Sequence, residues 1–159
     1  MQNIGVLDRL HKCLFWFLMG LTCLMLVIGF MQVVWRYVLE ASLYWSEELL
    51  RYMYVWVIFL GTSVAIRSRL HVSIDAFVSL LKGRPRYVVK TVIRLFSVAF
   101  FALVVVIGVQ FTLHNLGQVS PAVQLPMSVA YVAMPLGGLF SLIFALEDWR
   151  KARQEGGRP

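Results

Sequence analysis

Charge is scarce in this chain: eight Asp and Glu and fifteen Lys and Arg make up 14% of 159 residues, against 60% hydrophobic residues. Such a balance excludes an ordinary water-soluble globule, in which roughly a quarter of the residues are charged. The scarcity is also local, with no Asp, Glu, Lys or Arg from Cys13 to Trp35, between Arg51 and Arg67, or between Arg94 and Glu147. Cysteine is limited to Cys13 and Cys23. On one helix they lie about 15 Å apart, which excludes a disulfide between them. The histidines, His11, His71 and His114, are scattered, so no metal or haem pair is expected. A phosphate-cradling glycine loop and a nucleophile beside a base are both missing. Enzymatic activity, a metal site and a cofactor are therefore not expected.

What the chain does contain is apolar length. The 23 residues from Cys13 to Trp35 cover a hydrocarbon core of about 30 Å as a helix. The 15 uncharged residues between Arg51 and Arg67 form a second span once Leu49, Leu50 and the arginine stems extend it. The 52 residues between Arg94 and Glu147 suit two spans and a turn, with the turn at Leu116 to Pro121 and Pro126 opening the last helix. The expectation is an all-α integral membrane protein with spans at roughly 13–35, 48–66, 90–115 and 126–146, followed by a polar tail over 151–159. The first span is expected to stay as a signal anchor, because it is longer than a signal core and lacks a small-residue cleavage site.

Lys and Arg set the orientation. Two precede the first span, two are Arg36 and Arg51, seven run from Arg67 to Arg94, none lies in the third connection, and four follow the last span. Basic short loops stay inside, so both termini are expected in the cytoplasm. The formal charge of +7 is then explained by topology and anionic headgroups and calls for no nucleic acid.

Between the second and third spans, Ile74, Phe77, Val78 and Leu81 follow helical spacing while Asp75, Ser79 and Lys82 share the opposite face. This predicts a short amphipathic interfacial helix over about 73–82, lying on membrane lipids. In the fourth span Ala133, Gly137, Ser141 and Ala145 form a small-residue stripe, a helix-packing face whose neighbour one sequence does not identify. Pro135 should bend that span, with Gly137 and Gly138 easing the bend.

Polar residues crowd the ends of the second span: Arg36, then Trp45, Ser46, Glu47, Glu48, Arg51, Tyr52 and Trp56, and at the far end Arg67 and His71. Ser46 is expected to cap the helix, with Glu47 and Glu48 in its first turn and Arg51 within pairing distance along the face. Two explanations stand: these residues cap and anchor one helix, or they pair with a second membrane subunit. Gln110, His114 and Asn115 in the third span, with Gln32 in the first, suit hydrogen bonds between helices. No charged residue falls near the middle of a span, which argues against an autonomous pump.

The order Arg36-Tyr37, Trp45-x-Glu47-Glu48-x-x-Arg51-Tyr52-x-x-x-Trp56, Phe59-Leu60-Gly61, Arg67, His71, Leu125-Pro126 and Pro135-Leu136 resembles the DctQ-type small membrane subunit of tripartite ATP-independent periplasmic (TRAP) transporters. The resemblance extends over nearly the whole chain. It implies a non-enzymatic scaffold in the bacterial inner membrane, partnered by a large permease subunit on a separate chain and by a periplasmic substrate-binding protein. It further implies sodium-coupled import of an organic acid, with no substrate site in this subunit. By the same resemblance Glu47, Glu48 and Arg51 would brace the outer end of the second span, Trp45 and Tyr52 would fill the contact around them, and Arg67 and His71 would fix its inner end and the start of the surface helix. A small homo-oligomeric transporter and a membrane anchor for a redox complex are the competing classes.

Overall fold

The computed structural model describes residues 5–41, 43–68 and 84–155. Their regular structure is helical: α1 (Val6–Val38), α2 (Tyr44–Arg67), α3 (Arg84–His114), the single-turn α4 (Ser128–Tyr131) and α5 (Ala133–Glu155). α1, α2, α3 and the α4–α5 pair are each long and apolar enough to cross a membrane. The expected surface helix over 73–82, and His71 before it, lie outside the described residues.

Length and hydropathy explain why these segments are helices. In hydrocarbon a spanning segment must satisfy its own backbone, and a helix does so within itself. Side-chain hydroxyls follow the same logic. Thr22, Thr62, Ser97 and Thr112 each donate to the carbonyl four residues earlier, and Ser63 to the carbonyl of Leu60. None of these groups is left bare in an apolar surround.

The helices stand in a row. α1 packs on α2, α2 on α5 and α5 on α3, while α4 touches α2 and α3 at one end. Burial follows that order: 6% of the α3 span and 17% of the α1 span are buried, against 28% for α2 and 39% for the α4–α5 span. The edge helices therefore present most of their apolar surface outward, including Phe96, Phe100 and Leu103 of α3 and Trp16, Leu26 and Phe30 of α1. The densest packing joins Leu14 and Leu18 of α1, Leu60 and Val64 of α2 and Phe144 of α5.

The small-residue stripe faces inward. Ala133 is fully buried, Gly137, Ser141 and Ala145 are buried too, and Gly137 lies against the backbone of Phe59 in α2. A methyl group built on Gly137 would sit 2.5 Å from the carbonyl carbon and oxygen of Phe59. Only glycine permits that approach. Gly138, one residue on, faces Val104 and Val105 of α3. The two glycines let α5 sit closely between its neighbours, a different use from the expected easing of a bend.

Three boundaries differ from expectation. α2 starts at Tyr44, so Ser46 lies inside the helix, fully buried, and its hydroxyl donates to the Leu43 carbonyl at 2.7 Å. Ser46 is thus not the cap. Pro126 precedes the fourth span, which begins at Ser128. The helix is interrupted at Val132, one turn before Pro135. Proline lacks the N–H that would bond the carbonyl four residues back, so the break falls upstream of the ring.

Candidate functional site

Polar side chains gather at the two ends of the row. One end carries the start of α1, the end of α2 and the end of α5; the other carries the α1–α2 and α3–α4 connections. They are called below the terminal end and the loop end.

At the loop end, Glu47 and Glu48 reach in different directions. Glu47 accepts a hydrogen bond from Gln32 Nε2 of α1 at 3.2 Å. Glu48 Oε2 accepts the backbone N–H groups of Ala122 and Val123 at 2.9 and 3.0 Å, closing a turn 74 residues away in sequence. Val123 N–H also reaches Ser120 Oγ at 3.2 Å. A carboxylate receiving two adjacent amides is a charge-assisted clasp, stronger than a neutral pair. Two turns along α2, Trp56 Nε1 donates to the Val129 carbonyl of α4 at 3.1 Å. Three rungs of α2 thus grip α1, the α3–α4 connection and α4 in turn.

Neither carboxylate lies within ion-pairing distance of Arg51, whose side chain is exposed. The expected pairing along the helix face is superseded because long-range partners hold both acids. Arg36 and Trp45 are also exposed, together with Tyr37, Tyr44 and Tyr54. The Tyr52 hydroxyl is buried and has no hydrogen-bond partner among the described residues. Just past α3, Asn115 Nδ2 bonds the Phe111 carbonyl of that helix, while Gln110 and His114 are exposed, so of the expected inter-helix polar contacts Gln32 alone makes one among the described residues.

At the terminal end Arg67 is the centre. Its Nη1 donates to Glu147 of α5 and its Nη2 to Asp8 of α1, so one guanidinium joins three helices. The Arg67 side chain is 14% exposed and that of Glu147 18%. The guanidinium carbon lies 5.6 Å from the centre of the Phe144 ring, within cation–π range. Its planar fork explains why arginine occupies this place, since two separate carboxylates need two separately directed donors. Around it Lys151 pairs with Glu147 at 2.8 Å, Arg94 of α3 with Asp148 at 3.2 Å, and His11 Nε2 meets Ser68 Oγ at 3.1 Å. The His11 ring also packs edge-on against Phe144.

The structure therefore gathers Glu47, Glu48 and Trp56 into a loop-end clasp and Arg67 into a terminal-end clamp. It leaves Arg36, Trp45 and Arg51 on the surface. Asp8, Glu147 and Asp148 belong to these networks and were not singled out by motif. The usable signal was their sign: Asp8, Glu147 and Asp148 are acids at an otherwise basic end of the spans. Among the described residues no three His, Cys, Asp or Glu side chains converge on a point that could hold a metal ion.

Comparison with known proteins adds the family. The chain matches the family described as tripartite ATP-independent periplasmic transporters, DctQ component, over residues 25–155. It is 28% identical over 141 residues to the ectoine TRAP transporter small permease protein TeaB of Halomonas elongata, covering 87% of this chain and 73% of that one. It is 29% identical over 98 residues to the C4-dicarboxylate TRAP transporter small permease protein DctQ of Rhodobacter capsulatus, covering 60% of this chain and 43% of that one. The isethionate TRAP transporter permease protein DctMQ of Oleidesulfovibrio alaskensis is 26% identical over 140 residues, which are 81% of this chain but 21% of that protein. With four membrane-length helices clasped at both ends, and a family match over most of its length, the chain belongs to the DctQ component family, the small permease subunits of TRAP transporters.

Proposed function

We propose that this chain is the static membrane scaffold of a sodium-coupled importer for an organic acid, working with a large permease subunit on a separate chain and a periplasmic substrate-binding protein. The observation that carries the reading is the row itself, locked at both ends and apolar on both edges. A transporter whose moving part travels through the bilayer needs a wide element that resists tilting. Four spans side by side have a large lipid footprint, and the Arg67 and Glu48 networks keep α1, α2 and α5 in register. The interior of the row holds no charged side chain, which suits a subunit that braces the transport site and does not contain it.

The positive-inside pattern orients the chain with the Arg67 clamp on the cytoplasmic side and the Glu48 clasp on the periplasmic side of the bacterial inner membrane. The match to only 21% of DctMQ supports a much larger partner, because that permease carries a region like this chain within one longer polypeptide. The C4-dicarboxylate relative supports a carboxylate as cargo. Affinity purification of the tagged chain from native membranes in mild detergent tests the proposal. A large multi-span protein in about equal amount is expected, and deleting the chain should abolish uptake. Recovery of the chain alone as a folded oligomer, or normal uptake without it, would overturn the scaffold role.

A further inference from the structure

The connection between α3 and α4, residues 115–127, contains no charged residue, yet it exposes large apolar side chains: Leu116 is 57% exposed, Val119 59% and Leu125 39%. In water such a loop would be costly to display. Its backbone is also closed to an extent a solvated loop does not need. Ser120 N–H bonds the Leu125 carbonyl and Met127 N–H the Gln118 carbonyl, each at 2.9 Å, forming a small antiparallel bridge. Gln124 N–H returns to Ser120 and Gln118 N–H to Asn115. Pro121 and Pro126 carry no N–H. The two amides at the tip, Ala122 and Val123, receive the Glu48 carboxylate from α2.

Water satisfies loop amides at no structural cost. A carboxylate delivered from another helix is needed where water is scarce, because irregular backbone at membrane depth persists only when its polar groups are paired inside the protein. Exposed apolar side chains continue along the chain on both sides of the connection, with Leu113 of α3 60% exposed and Val129 of α4 46%. At the same end Tyr44 and Trp45 stand exposed, as interfacial aromatics do. Gln118 and Gln124 are exposed as well, and their amides suit the headgroup level.

We infer that residues 115–127 are seated in the boundary between headgroups and acyl chains, with bilayer lipid as the surface that Leu116, Val119 and Leu125 meet. Glu48 then serves as an internal substitute for water. This goes beyond the scaffold role and does not depend on it, since it concerns the depth of a loop and not a transport partner.

The test labels Val119→Cys and Leu125→Cys, each in a Cys13→Ser, Cys23→Ser background, with an environment-sensitive dye in the full chain reconstituted alone in phosphatidylcholine nanodiscs. Lipid carrying a nitroxide near the top of its acyl chain should quench both labels. Aqueous iodide should quench them several-fold less than the same dye on glutathione in buffer. Two positions keep the test valid if one variant does not elute as a single folded species. Iodide quenching equal to that of the glutathione conjugate, with no lipid quenching, would overturn the inference in favour of a solvated loop. Shielding that appears only when another protein is added would overturn it in favour of a protein-docking surface.

Discussion

Replacing Gly137 with alanine should push α5 off α2. The added methyl carbon would lie 2.5 Å from the carbonyl carbon and oxygen of Phe59 and 2.6 Å from its Cβ, where ordinary contact is 3.4–4 Å. All three atoms belong to backbone or Cβ, so no side-chain rotation relieves the clash. The helices must separate by about 1 Å at the crossing, and overpacking of this kind costs about 1–3 kcal/mol. The upper part of that range applies here, because the same movement loosens Phe144 and the Arg67–Glu147 contact further along α5. At 2–4 °C per kcal/mol for a domain of this size, the midpoint of thermal unfolding in detergent should fall by roughly 6–12 °C. Gly61→Ala is the matched control. A methyl there meets nothing within 4 Å, so the better helix propensity of alanine should leave stability unchanged or raise it by up to about 1 kcal/mol. If Gly137→Ala and Gly61→Ala melt together, the close crossing of α2 and α5 is not a determinant of this fold.

Arg67→Ala leaves the Glu147 and Asp8 carboxylates without their shared donor and should cost about 2–3 kcal/mol, less than a fully buried pair because Asp8 is half exposed. Adding Glu147→Gln should restore part of that loss in the melting midpoint, and no recovery would argue that Arg67 acts through packing on Phe144. Glu48→Ala should lower the melting midpoint and speed amide hydrogen exchange at Ala122 and Val123, while unchanged exchange there would remove Glu48 as the closing group. Arg51→Gln should shift stability by no more than about 0.5 kcal/mol, since its exposed side chain makes no ion pair among the described residues. On the scaffold reading the same variant should retain less of the large permease in pull-downs, and full retention would take Arg51 out of that contact.

Fold class was legible where physics is local. Three charge-free runs imply four helices whatever the rest of the chain does, and the turn between the third and fourth is written in Gly117, Pro121 and Pro126. Partners were legible only where they lie close in sequence. Arg51 stands three and four residues from Glu48 and Glu47, so the helical spacing pointed to it, yet those acids are held by Gln32 and by amides near residue 122. Nothing local competes with such distant contacts, because they depend on which helices become neighbours. The same limit hid Asp8 and Glu147 from Arg67, which is separated from them by 59 and 80 positions. Ser46 differs for a related reason: α2 starts two residues before it, and its fully buried hydroxyl donates back to the Leu43 carbonyl, where a cap would accept an N–H. At Pro135 a disturbance of the helix was legible, but its place at Val132 was not, since the missing bond belongs to the preceding turn.

The order of the row also has a consequence for how the protein is made. Among the described helices α3 follows α2, but α3 finds its main packing surface on α5, which is synthesised after it. Until then α1 and α2 can pair, while α3 must wait in lipid with almost no protein against it. The α4–α5 span thus acts as the keystone of biogenesis, joining a finished hairpin to a stranded helix in one step. A chain stopped before Ser128 would leave three inserted helices and only half a structure.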